Sequence, residues 1–120
     1  MLLFTWLDTV EFTPINQAVI AGRNVTLKCS SESRDGSQWK YKQDARFEET
    51  PLTYNQNITN SNGRIRLNTT INGQYDLHIA NSDRSDAGIY ICITVGKSTA
   101  GNGSSITQRY EAQLVILCKC

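Results

Sequence analysis

Charge of one sign is in short supply: twelve Lys and Arg face eleven Asp and Glu, a formal net charge of +1 over 120 residues. No Lys/Arg block stands out, which argues against a nucleic-acid partner, because tracking phosphates needs a concentrated basic surface. No apolar run approaches the roughly 20 residues that span a bilayer. Membrane attachment is therefore expected only through an anchor outside this chain. Histidine is scarce too, and the single one, His78, lies between Leu77 and Ile79 in an alternating segment. It reads as an outward, solvated side chain, and no serine or cysteine is placed by motif as a nucleophile, so catalysis is not expected. Asp83, Arg84 and Asp86 read as a capped, ion-paired turn. The cysteines Cys29, Cys92, Cys118 and Cys120 include no Cys-x-x-Cys and no Cys/His pairing at zinc spacing. Neither a metal nor a cofactor is expected.

What is present points to one secreted domain. The length fits a single core, and 39% hydrophobic with 19% charged residues suits a globular chain. Four Asn-x-Ser/Thr tripeptides, at Asn24, Asn57, Asn68 and Asn102, are candidate glycosylation sites and suggest an oxidising, extracellular location. Residues 1–9 are apolar but lack a basic start and a cleavage site, and read as a leader remnant or an appended segment. Residues 10–117 form the domain, and 118–120 the start of a hinge, stalk or linker. Cys118-Lys119-Cys120 could also join two copies or close on itself.

Apolar residues recur at a spacing of two in short stretches rich in Val, Ile, Thr and Tyr. Strands are expected at 9–13, 17–20, 24–30, 37–42, 64–68, 74–79, 88–94 and 106–117, with weaker candidates near Phe47 and Thr53. Turns are expected at Ala21-Gly22, Arg34-Asp35-Gly36, Asn62-Gly63 and Asn72-Gly73, the last closing a hairpin. Only 82–87 suggests helix, a single turn. Many short strands with these turns make a β-sandwich.

Cys29 ends Val25-Thr26-Leu27-Lys28-Cys29, Trp39 follows ten positions later, and Asp86-Ala87-Gly88-Ile89-Tyr90-Ile91-Cys92 carries an Asp-x-Gly-x-Tyr-x-Cys pattern. Together they resemble the immunoglobulin superfamily, over about residues 10–116. The resemblance implies an all-β, V-type sandwich of two antiparallel sheets with Greek-key topology. It implies a Cys29–Cys92 bridge under Trp39, a corner hydrogen bond from Tyr90, an Arg64–Asp86 ion pair, and Leu77 opposite the tryptophan. Pro14 would let the first strand change sheets. The twenty-four residues from 40 to 63 leave room for two extra edge strands, which favours the V-set over constant-type domains and leaves the intermediate set, with one extra strand, as the alternative. The last strand lacks Phe/Trp-Gly-x-Gly, so the likeness is to non-rearranging immune-type or adhesion receptors.

If Tyr90, Cys92 and Thr94 point inward, Ile89, Ile91 and Ile93 point outward. Lys40, Lys42, Arg109, Glu111 and Gln113 would surround them. An apolar row in water rimmed by charge is the layout of a protein interface, so this front sheet is the expected site for a protein ligand or a second copy. The bland alternative is that surface isoleucines on strands are ordinary. A rival binding site is the loop end, residues 31–36, the turn around Thr50-Pro51, and 96–105, where Lys97, Ser98, Thr99 and Asn102 could hold carbohydrate or microbial ligands. Its glycines make that loop costly to order.

Overall fold

The structure, a computed structural model, describes residues 12–59, 63–97 and 105–118. In chain order the described strands are β1 (Gln17–Ile20), β2 (Val25–Leu27), β3 (Ser33–Lys42), β4 (Thr50–Tyr54), β5 (Asn57–Ile58), β6 (Ile65–Asn68), β7 (Asp76–Ile79), β8 (Gly88–Lys97) and β9 (Ser105–Leu117). They form a six-stranded front sheet, β1-β9-β8-β3-β4-β5, and a three-stranded back sheet, β2-β7-β6. Both extra edge strands, β4 and β5, are present, as the V-type resemblance implies. The sheets are not wholly antiparallel as expected: β1 runs parallel to β9, with Gln17 beside Leu114 and Ile20 beside Leu117.

Alternation explains the core. Val25 and Leu27 of β2, Leu77 and Ile79 of β7 and Ile65 of β6 turn toward Trp39, Tyr90, Cys92 and Leu114 of the front sheet, and all are buried. Cys29 and Cys92 are disulfide-bonded across the two sheets, at the centre of this cluster. Trp39 is fully buried and donates its indole N–H to the Tyr75 carbonyl at 3.0 Å, so its one polar group is satisfied. Ahead of β1 the chain changes sheets at buried Pro14. Phe12 exchanges hydrogen bonds with Ser30 beside the back sheet, while Gln17 already pairs with β9.

Several sequence expectations need correction. Most of 9–13 lies outside the described residues. Arg34-Asp35-Gly36 is not a turn between strands but an irregularity inside β3: Ser33 opposes Val95 and Gln38 opposes Ile93, so four residues face Thr94 alone. Gly36 supplies the positive φ, +85°, that this bulge needs. Phe47 lies in a turn, not a strand, and Thr50-Pro51 belongs to β4, where it pairs with Tyr41 and Lys40, so it is not a binding loop. The turn after β4 is Asn55-Gln56 instead. At Asn72-Gly73 the hairpin forms, with the Gln74 amide bonded to the Ile71 carbonyl at 2.9 Å, but only Gly73 takes positive φ. That is type II geometry, not the doubly positive one favoured in two-residue hairpins.

The turn before β8 is a 3-10 turn, Arg84–Asp86, closed by a capping box. Asp83 accepts from the Ser85 amide, and Asp86 accepts from the Asp83 amide at 2.7 Å. Arg64 clasps the same Asp86 carboxylate with two hydrogen bonds, 2.7 and 2.9 Å. The Tyr90 hydroxyl donates to the Asp86 carbonyl at 2.6 Å, and burial first, then the Asp86 charge, pushes its pKa far up. Gly88 follows, where an added Cβ would lie 2.6 Å from the Tyr41 ring and 2.7 Å from the Lys42 carbonyl. The Asp, Gly and Tyr of the motif thus each have a separate physical reason.

Candidate protein-binding face

The outer side of the front sheet is laid out in rows. Lys42, Ile89 and Gln113 oppose one another, as do Lys40, Ile91 and Glu111, and Gln38, Ile93 and Arg109. Directly paired residues share a face. All eight residues expected at the interface therefore lie on one surface, centred on β8.

Exposure departs from expectation at the middle. Ile91 has 0% of its surface accessible, while Ile89 and Ile93 are half-buried, so the row of three isoleucines in water is not there. Ile91 is no part of the cluster between the sheets. A strap of charged side chains crosses the same part of the face. Arg109 on β9 reaches Glu49, just before β4, with two hydrogen bonds, one of them 3.2 Å. Those strands stand three spacings apart in the sheet, about 14 Å, so the pair bridges β8 and β3 over the Ile91 row. Lys40 joins Glu49 at 3.7 Å and Arg109 also holds Glu111 at 3.2 Å. Long charged side chains of this kind can lay their aliphatic stems over apolar neighbours while their charged ends stay in water. Alternation shows which way a side chain points, not what lies over it.

The same hydrogen bonds set the electrostatics. The hydrogen bond from Arg109, helped by the Arg109, Lys40 and Lys42 charges, holds the Glu49 carboxyl below its ordinary value against the opposing effect of burial. Glu49 in turn raises Arg109. Glu49 was not among the expected residues, nor were Gln38 and Tyr54, which pair with each other and extend the third row onto β4. Tyr54 is 51% exposed and Phe47 50%, and these large apolar groups stand nearer water than any isoleucine of β8.

The rival loop end is only partly described. Ser98, Thr99 and Asn102 lie outside the described residues, and Lys97 ends β8 opposite Ser105. Several of the polar groups described there are bonded internally, while Asp35 is exposed and the buried Arg34 Nε has no hydrogen-bond partner among the described residues. Ser31 and Ser37 share a 2.7 Å hydrogen bond, Asn55 accepts from the Gly36 amide at 2.6 Å, and Arg34 donates to the carbonyls of Thr69 and Ile71. Buried Tyr75 donates from beneath, with its pKa pushed up to about 12 by burial. His78 bonds Thr26 at 2.7 Å on the outer side of the back sheet, away from both candidate sites. Cys118 is disulfide-bonded, while Cys120 lies outside the described residues.

Comparison with known families decides what this frame is. The Immunoglobulin V-set domain matches over residues 12–110. The chain belongs to the immunoglobulin V-set family. Similar solved structures agree on the fold. Murine CRIg superposes with TM-score 0.70 at 14% identity, over 90% of this chain and 97% of that one. A chain from Dpr1 IG1 bound to DIP-eta IG1 gives 0.62 at 17%, over 88% and 90%. The RIG-5 IG1 homodimer gives 0.64 at 14%, over 88% and 92%. For this V-set domain, Cys29, Trp39, Arg64, Leu77, Asp86, Tyr90 and Cys92 are the frame, and the binding residues must be sought elsewhere.

Proposed function

We propose that this V-set domain is an extracellular recognition module of an immune-type or adhesion receptor, binding a protein partner or a second copy of itself through the outer face of β9, β8, β3 and β4. The observation that carries it is the composition of that face. Half-buried Ile89 and Ile93 and exposed Tyr54 surround a strap of both charge signs, so apolar contact and charge matching are offered on one broad sheet. Two similar folds were solved in complexes between such domains, Dpr1 IG1 with DIP-eta IG1 and the RIG-5 IG1 homodimer, which supports a partner of the same kind. The disulfide suits an oxidising compartment, and among the described residues no helix is long and apolar enough to cross a membrane. The loop end ranks second because several of its described polar groups, Ser31, Ser37, Asn55 and the Arg34 terminus, are already bonded within the chain.

With Ile91 closed and Ile89 and Ile93 half-buried, a second copy gains little apolar burial against the entropy of association. A weak to moderate dimer is expected. Glu111 and Lys40 are each paired within their own chain, so cross-pairing between copies requires these partners to exchange. The test is sedimentation of the wild type beside Ile93→Arg and Ile89→Arg, with and without reductant. Loss of the dimer in both variants is the expected result. A dimer that survives both overturns the front-face reading, and one that is then lost in a Cys118→Ser, Cys120→Ser variant with Cys29–Cys92 intact assigns association to those cysteines.

A further inference from the structure

Three of the four Asn-x-Ser/Thr tripeptides fall on described residues, and they are not scattered. Alternation places Asn24 with Thr26, and Asn68 with Arg66, on the outer side of the back sheet, opposite inward Val25, Leu27, Ile65 and Leu67. Thr26, His78 and Arg66 form the middle row of that surface. Asn24 stands at one end of it, next to Asn81, and Asn68 at the other, paired with Asp76. They occupy opposite corners.

Their amides are already oriented. The Asn24 Oδ1 accepts from the Asn81 backbone amide at 2.9 Å, and the Asn68 Oδ1 accepts from the Thr70 amide at 3.1 Å and from the Thr70 hydroxyl. In both, the oxygen is fixed by the fold while Nδ2, the atom a sugar would join, makes no hydrogen bond among the described residues. Asn57 is exposed and its side chain makes none at all there. It opposes Tyr54, which opposes Gln38, then Ile93, then Arg109, so one row crosses the whole front face from β5 to β9. Asn57 ends that row three strand spacings, about 14 Å, from Ile93.

We propose that Asn24, Asn57 and Asn68 carry N-linked oligosaccharides, which coat the back sheet from two corners and wall the front face at β5, none of the three standing on the β9-β8-β3 surface. The donor is a lipid-diphosphate-linked oligosaccharide of the secretory membrane. The asparagine Nδ2 forms a bond to the anomeric carbon, the bond from that carbon to the diphosphate oxygen breaks, the lipid diphosphate leaves, and the amide gives up one proton. That the β9-β8-β3 surface receives a protein rests on the reading above; the sugar map does not.

The full chain, secreted from eukaryotic cells, is treated with an N-glycan amidase in heavy-oxygen water, and its peptides are weighed. Label at Asn24, Asn57 and Asn68 is expected, and an unlabelled asparagine at any of them overturns the assignment there. Hydroxyl-radical footprinting before and after sugar removal then reads the coat without any partner. Tyr54 and His78 should gain labelling severalfold when the sugars go, while Ile89 and Ile93 stay unchanged. Asn57→Gln should release Tyr54 and leave His78 protected. Protection of Ile89 or Ile93 by sugar, or none at Tyr54, overturns the map. Failure to find a binding partner bears only on the protein-binding reading.

Discussion

At the scale of single residues, the disulfide and Asp86 each make a testable contribution to the frame's stability. The Cys29–Cys92 bridge closes 63 positions of chain, which in the chain-entropy view stabilises the fold by about 4 kcal/mol. Denaturant titration with and without reductant should show a drop of that order, and unchanged midpoints would remove the bridge from the account. Asp86 serves three groups at once: Arg64 and the Asp83 amide through its carboxylate, and Tyr90 through its carbonyl. Only the first two depend on the side chain. Asp86→Ala should therefore cost about 2–3 kcal/mol, leaving a half-buried guanidinium short of its partner, yet spare partner binding at the far face. Ile91 and Ile93 divide in the same way. Ile91→Ala empties a closed site and should cost about 2 kcal/mol or more, whereas Ile93→Ala should cost under about 1 kcal/mol. Equal losses in thermal or chemical unfolding would show that the charged strap covers nothing. For the same reason Ile91→Arg tests folding before it tests binding.

Among the elements, β3 and β4 show how far a sequence speaks. The segment 17–20 was legible because nothing disturbs its alternation, and β8 and β9 likewise. The pairing of β3 with β4 shifts register between Trp39 and Lys40, and the extra residue leaves both Leu52 and Thr53 buried. Two adjacent inward side chains erase the period of two, so β4 was only a weak candidate near Thr53, and Glu49, just before it on the candidate face, went unnoticed. The Thr53 hydroxyl instead accepts the Trp39 amide at 2.9 Å, a side chain standing in for a strand carbonyl. The strap that starts at Glu49 is sensitive to acid. Its folded pKa lies below the ordinary 4.5, so the stabilisation is full above that value and is lost as pH falls through the depressed one. A carboxyl-carbon NMR titration of Glu49 should give a midpoint under 4.5 that returns toward it in Arg109→Gln; a midpoint at 4.5 or above in the wild type would sink the strap. Global stability should change by less than about 1 kcal/mol, since the pairs are surface pairs.

For the whole molecule, the frame was readable because its signals are local or fixed by spacing: two cysteines, a tryptophan, and a seven-residue motif whose every invariant-looking member has a contact to explain it. The candidate face was readable by direction alone. Which side chains cover which depends on partners brought from distant strands, as Arg109 and Glu49 show across sixty positions. The loop end could not be judged from composition, because bonds such as Ser31 to Ser37 and Asn55 to the Gly36 amide depend on the fold.

The parallel pairing of β1 with β9 has a mechanical consequence. Traction directed toward the start of β1 and the finish of β9 slides the two strands lengthwise past each other. The hydrogen bonds of that ladder, which in a parallel pair are evenly spaced, then bear load together instead of parting one after another as in a peeled hairpin. A receptor or adhesion domain tugged between surfaces would resist rupture by this clasp, with the buried bridge holding the interior even after the clasp has slipped.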